Sequence, residues 1–193
     1  MTTARSYHHG NLRAELLEHA EAVLAEGGEL SLRELARQVG VSHAAPRRHF
    51  PDKQALLDAL ALDGFERLGA ALTDALVAAD PGLRGRLLAF GLTYVRFATE
   101  HAALLELMYA GKHARQDVLA ASNEAFAAAF GLFHAGQAAG EIVAGDPERL
   151  GTVAFASLHG LAAMVNGGLL DTAGLDEMVT ETVDRLVLGL APR

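Results

Sequence analysis

Between Ser31 and Phe50 the chain starts a helix, stops it at a glycine and starts another almost at once. Ser31-Leu32-Arg33-Glu34 reads as a capping box, with Ser31 accepting from the Glu34 amide and the Glu34 side chain reaching back. Leu32, Leu35, Ala36 and Val39 fall on one helical face, and Gly40 follows as a left-handed stop. Ser42 then caps a third short helix that ends near Phe50-Pro51. Pro46 lies inside the first turn of that helix, where its missing N–H tightens the start rather than breaking the element. Leu32, Leu35, Ala36, Val39, Val41 and Phe50 lock the pair together, and the small Ala36 allows a close crossing. This is the helix-turn-helix pattern, whose second helix lies in the major groove of DNA. The same spacing also serves plain helical packing, so charge has to separate the two readings.

Whole-chain charge points away from nucleic acid, because the net value is −8 and the pI is near 5.5. Its distribution points back. Residues 1–53 hold seven Lys/Arg and seven Asp/Glu, whereas residues 54–193 hold nine and seventeen. Within residues 31–53, Arg33, Arg37, Arg47, Arg48 and Lys53 stand against only Glu34 and Asp52. Basic side chains therefore concentrate where phosphates would lie, and acids elsewhere keep the remainder off DNA.

The rest of the chain is built for helices. Of 193 residues, 38 are Ala and 32 Leu, while Val, Ile and Thr number 12, 1 and 9. That balance favours helix and nearly excludes an extensive sheet. Asn11 can cap a first helix that ends at Gly27-Gly28. After the short N-terminal helices, longer segments run from Lys53 to Ala79, Leu83 to Thr99, His101 to Tyr109 and Asp117 to Ala139. Asp146-Pro147 opens another, with Asp as cap and Pro at the first helical position, and a last helix covers Leu175 to Leu190. The expected architecture is all-α, with about nine helices in two parts. Residues 1–53 form a helix-turn-helix domain and residues 54–193 a helical effector-binding and dimerisation domain, with the helix from Lys53 shared.

Several function classes find no footing. The absence of Cys excludes disulfides, thiolate metal sites and cysteine nucleophiles. There is no P-loop, no G-x-S-x-G and no H-E-x-x-H, and His101, Glu106 and His113 lack metal-site spacing. No cofactor and no metal are expected. Met1 to Gly10 has no apolar run, and the uncharged stretch Leu150 to Leu170 carries Thr152, Ser157, His159 and Asn166. A soluble cytoplasmic protein without a membrane partner is expected.

The segment from Ser31 to Leu57, with its Gly-Val-Ser turn and its Phe50-Pro51-Asp52-Lys53-Gln54-Ala55-Leu56-Leu57 exit, resembles the DNA-binding domain of TetR/AcrR-family transcriptional regulators. The lead-in Tyr7-His8-His9-Gly10-Asn11-Leu12-Arg13 resembles one branch of that family, whose C-terminal domain carries a Trp-His-Gly signature; Leu158-His159-Gly160 matches only its His-Gly. The resemblance implies an all-helical homodimer on a palindromic double-stranded operator, with a small-molecule effector in the C-terminal domain. It places Arg33, His43, Ala44, Ala45 and Pro46 against base edges. It places Arg47, His49 and Lys53 against phosphates, with Arg47 standing where the family usually has Tyr. Arg37 and Arg48 serve equally as solvated surface charges.

In the body, polar groups interrupt otherwise apolar segments, as an effector cavity requires. Tyr94, Phe97, Met108, Phe126, Phe130, His134, His159 and Met164 are the candidate cavity residues, against the alternative that each is ordinary core. Small and aliphatic residues on the last two helices suit a four-helix dimer face. The competing readings are a helical hydrolase or lyase using His159 or His134, and a protein-interaction module in which the helix-turn-helix only packs.

Overall fold

The structure, a computed structural model, describes residues 12–111 and 115–192. Asn11, as the first cap, lies outside them. The described residues form eight α-helices and one short 3-10 turn, with no strand among them. In chain order these are α1 (Leu12–Ala25), α2 (Leu32–Val39), the turn Pro46–Arg48, α3 (Lys53–Ala78), α4 (Leu83–Glu100), α5 (Ala102–Gly111), α6 (Gln116–Ala138), α7 (Pro147–Asn166) and α8 (Leu175–Leu190). The all-α expectation holds, and no described helix is long and apolar enough to cross a membrane.

Local punctuation accounts for most of the boundaries. Gly40 ends α2 with φ +78°, and Val41 N–H donates to Ala36 O at 2.9 Å, as a left-handed stop requires. Asp146 caps α7 by accepting from the Glu148 and Arg149 amides at 3.0 and 3.4 Å, with Pro147 behind it. Asp52 caps α3 through the Ala55 amide at 2.8 Å. The capping box at Ser31 does not form. Ser31 has the extended backbone of a cap but makes no side-chain cap bond. The Glu34 carboxylate instead grips the Arg37 guanidinium one turn on, a charge-assisted pair that outcompetes a neutral backbone amide.

The third helix is also corrected. Without an N–H on Pro46, the segment closes by three-residue steps: Ala45 N–H to Ser42 O, Arg48 N–H to Ala45 O and His49 N–H to Pro46 O. The tightening expected for one turn extends as far as His49, and only Phe50 N–H, 2.9 Å from Pro46 O, closes a four-residue step. It leaves a 3-10 turn, and the Ser42 carbonyl, not its side chain, takes the first bond.

The small N-terminal unit, or head, closes around Leu16, Leu17, Ala20, Leu30, Leu35 and Phe50, all buried. Leu56 and Leu60 of α3 continue that core, and Phe65, Leu68 and Leu72 carry the same helix into the body. There α3 packs on α4, α5 and α6, while α7 and α8 pack on α4. Close approach matters where α3 meets α5: a Cβ on Gly64 would sit 2.7 Å from the Met108 sulfur. The division at residues 53 and 54 falls in the first turn of α3, so one helix serves both parts.

Polar ties fasten α3 to the head and, within the body, to α6. Arg67 of α3 donates to Glu21 of α1 at 2.5 Å, and His101, between α4 and α5, lies 2.7 Å from the same carboxylate through Nδ1. A second tie joins the buried Asp58 of α3 to Gln54 at 2.9 Å and to Arg115 at the start of α6 at 2.5 Å. Burial alone would raise the Glu21 carboxyl, but hydrogen bonds and charge from Arg67, then His101, outweigh it and hold the group below its usual value. A lowered carboxyl contributes stability above its unfolded value that is lost as pH falls through its folded value. Glu21→Gln is therefore expected to melt below wild type near pH 6, by about 1 kcal/mol for a half-exposed pair, with the gap closing towards about pH 3. Thermal melts of both proteins across that range check this; a gap of constant size contradicts it.

Candidate functional site

The head presents a basic surface whose parts come from three elements. Arg33 is exposed on the first turn of α2, His43 and Ala44 are exposed in the turn that follows, and Ala45 is half-buried. Arg47, Arg48 and His49 are exposed on and just after the 3-10 turn, and Lys53 is exposed at the start of α3. Pro46 differs from expectation: it is buried, because the three-residue winding turns its ring into the head, so the ring is not offered to a base edge. Phe50 beneath the surface is 2% exposed and anchors the turn, with the Arg13 guanidinium 5.8 Å from its ring centre.

Pairing of the charges sharpens this surface. Among the described residues no carboxylate pairs with Arg33, Arg47 or Arg48. Arg37 is held by Glu34, and Lys53 is only loosely opposed by Glu29 at 3.7 Å. In the body the pattern inverts. Arg67, Arg84, Arg96, Arg115, Arg149 and Arg185 each have a carboxylate partner, and Arg86 alone among the described body arginines does not. Free guanidinium groups thus gather at the reading surface, and sequence counts show this only in outline.

A second site lies in the body, where α4 to α7 bring aromatic rings together. Tyr94 is fully buried, and its hydroxyl lies 2.7 Å from His159 Nδ1 and 3.3 Å from the Tyr109 hydroxyl. Burial pushes both Tyr94 and Tyr109 up, so both remain neutral hydroxyls at ordinary pH. Phe126 and Phe155 meet edge to face at 5.2 Å, and the His159 ring stacks on Phe155 at 5.8 Å. Beside them opens a cavity of about 360 Å³ lined by Tyr109, Ser122, Asn123, Phe126, Ala127, Phe130 and Phe155.

Of the expected cavity residues, Tyr94, Phe126, Phe130 and His159 belong to this cluster or its wall. The others do not. Phe97 lies against His101 of the head–body tie, with ring centres 4.7 Å apart and planes tilted by 44°. Met108 is fully buried against Gly64, His134 is exposed on α6, and Met164 is 41% exposed on α7. Asn166 is structural, donating to Ala98 O at 3.0 Å. Ser122 and Asn123 were missed, although a polar pair in the Ala-rich α6 is a visible signal. Among the described residues no group of His, Asp or Glu is placed to hold a metal ion.

Comparison with known proteins assigns both parts. Residues 16–60 match the family model for bacterial regulatory proteins of the tetR family, and residues 87–190 match that for a tetracyclin repressor-like C-terminal domain. A structure from Rhodococcus sp. RHA1, described as a protein with unknown function, shares 47% identity at a TM-score of 0.89 over 98% of this chain and 100% of that one. The TetR family transcriptional regulator PfmR from Thermus thermophilus is similar in fold, with TM-score 0.71 and 23% identity over 92% and 99% of the two chains. So is a TetR family transcription regulator from Marinobacter aquaeolei, at 0.75 and 22% over 94% and 96%. No curated protein matches. With head and body both matched in the order in which they fold, the chain belongs to the tetR family of bacterial regulatory proteins and is a DNA-binding regulator of transcription.

Proposed function

We propose that this regulator is a cytoplasmic homodimeric repressor that reads a palindromic operator and is released by a small-molecule effector. The observation that carries the reading is the contrast in arginine pairing among the described residues: Arg33, Arg47 and Arg48 have no carboxylate partner there, while all the described body arginines but Arg86 have one. Arg33, His43, Ala44 and Ala45 meet base edges in this reading, and Arg47, His49 and Lys53 meet phosphates. Pro46 shapes the turn from within. Guanidinium suits guanine, and an Ala methyl suits the thymine methyl.

A dimer face on α7 and α8 is supported by apolar side chains left in the open, with Val153 at 60%, Met164 at 41% and Leu188 at 69% exposed. Small residues at Ala156, Gly160 and Ala163 allow a second copy to approach closely. Control follows from population shift. The cavity wall on α6 packs on α3, and α3 begins at Lys53 in the head. A ligand that favours one setting of α6 thereby favours one spacing of the two heads.

Titration of a random-sequence duplex at about 50 and 200 mM salt tests the phosphate assignment. Lys53→Ala is expected to weaken binding to every sequence and to lower the salt slope by about one. Arg33→Ala is expected to leave random-duplex binding nearly intact but to remove about 1–3 kcal/mol of preference for the chosen sequence. Normal dimers with no salt-dependent binding would contradict the reading and favour a protein-interaction module.

A further inference from the structure

The cavity beside the aromatic cluster carries a statement about ligand chemistry, one that rests on the effector reading above and deepens it. Its wall is made of Phe126, Phe130 and Phe155, the Tyr109 ring, and two uncharged polar residues, Ser122 and Asn123. Among the described residues no ionisable acid or base lines it, apart from the phenol of Tyr109. A charged molecule entering there would give up hydration without gaining a counter-charge, which is costly.

Ser122 is the second observation. It is 5% exposed, and its hydroxyl makes no hydrogen bond to any described residue. Only Thr93 shares this among the hydroxyls inside the described helices, and Thr93 does not line the cavity. Thr73, Thr99, Thr152, Ser157, Thr180 and Thr182 all donate back to the carbonyl four residues earlier in their own helices. Ser122 has the same option towards Val118 and does not take it. A hydroxyl that has no partner among the described residues and is not sealed off, on a residue that lines a cavity and is otherwise buried, is positioned for a ligand.

The ring geometry adds shape. Phe126 and Phe155 stand edge to face, with 68° between their planes, so a flat ring set against one face meets the edge of the other. The volume of about 360 Å³ lies at the lower end of small-molecule sites and suits one or two fused rings. We infer that the cavity takes an uncharged, flat aromatic molecule bearing one hydroxyl or carbonyl, which bonds to the Ser122 hydroxyl.

Equilibrium binding to the full-length protein tests this with four probes: 1-naphthol, naphthalene, 1-naphthoate and 1-octanol. The chain has no Trp, so naphthyl fluorescence is read against a low background. 1-Naphthol is expected to bind best. Naphthalene should be about five- to tenfold weaker, the value of one neutral hydrogen bond, and naphthoate and octanol weaker still. Ser122→Ala should weaken 1-naphthol by the same factor and leave naphthalene unchanged. Ala127→Phe, on the exposed rim of the cavity, should block both while leaving the melting temperature near wild type.

Tighter binding of naphthoate or octanol, no binding of either uncharged aromatic probe, or equal 1-naphthol binding by Ser122→Ala would overturn the inference. Release of a bound duplex is measured in the same samples. Naphthol binding that depends on Ser122 without release of DNA upholds the ligand class and sinks the effector reading. Release by naphthoate does the reverse.

Discussion

The helix from Lys53 to Ala78 is a wall of both parts of the molecule, and its packing sets what either part can do. Its 26 residues span roughly 39 Å at 1.5 Å per residue. Near its start, Leu56 and Leu60 join the core that holds Leu16, Leu35 and Phe50; farther on, Phe65, Leu68 and Leu72 are buried among α4, α5 and α6. A rigid helix packed into both parts cannot shift in the body without carrying the head. The ties from Glu21 to Arg67 and from Asp58 to Arg115 make that connection directional, because each joins α3 to a different neighbour. The first fixes α1 on the body, and the second fixes the start of α6 close to the end of α3 that holds Lys53.

How far the sequence reveals this depends on how local the cause is. Gly40, Asp146-Pro147 and the apolar spacing of α8 act within one turn, and the structure has them as expected. Ser31 shows where local reading fails. A capping box competes with every other partner its Glu can reach, and Arg37, one turn away, wins. Pro46 lies between these cases: its missing N–H is plain in the sequence, but conversion of a whole helix into a 3-10 turn depends on how Phe50 is buried in the head.

The body site was legible by residue type and not by grouping. Tyr94, Tyr109, Phe126 and His159 lie on four different helices, and only their packing brings the hydroxyls and rings together. Phe97 and Met164 have suitable chemistry on the wrong helical face. Charge behaves the same way. Composition shows a neutral head and an acidic body, but only the folded chain shows which guanidinium groups are already satisfied. Affinity for a polyanion follows from the unsatisfied ones, so an acidic protein can bind DNA where its few free cations gather.

Selection of bound duplexes from a random pool, at a fixed and stated salt concentration, tests the central claim most directly. If the exposed head reads DNA as one half of a dimer, the enriched sequences form a palindrome. Its half-sites should lie about 10–10.5 base pairs apart, or a multiple of that, centre to centre. Bound duplexes that show no common sequence, or a single unrepeated motif, would contradict it.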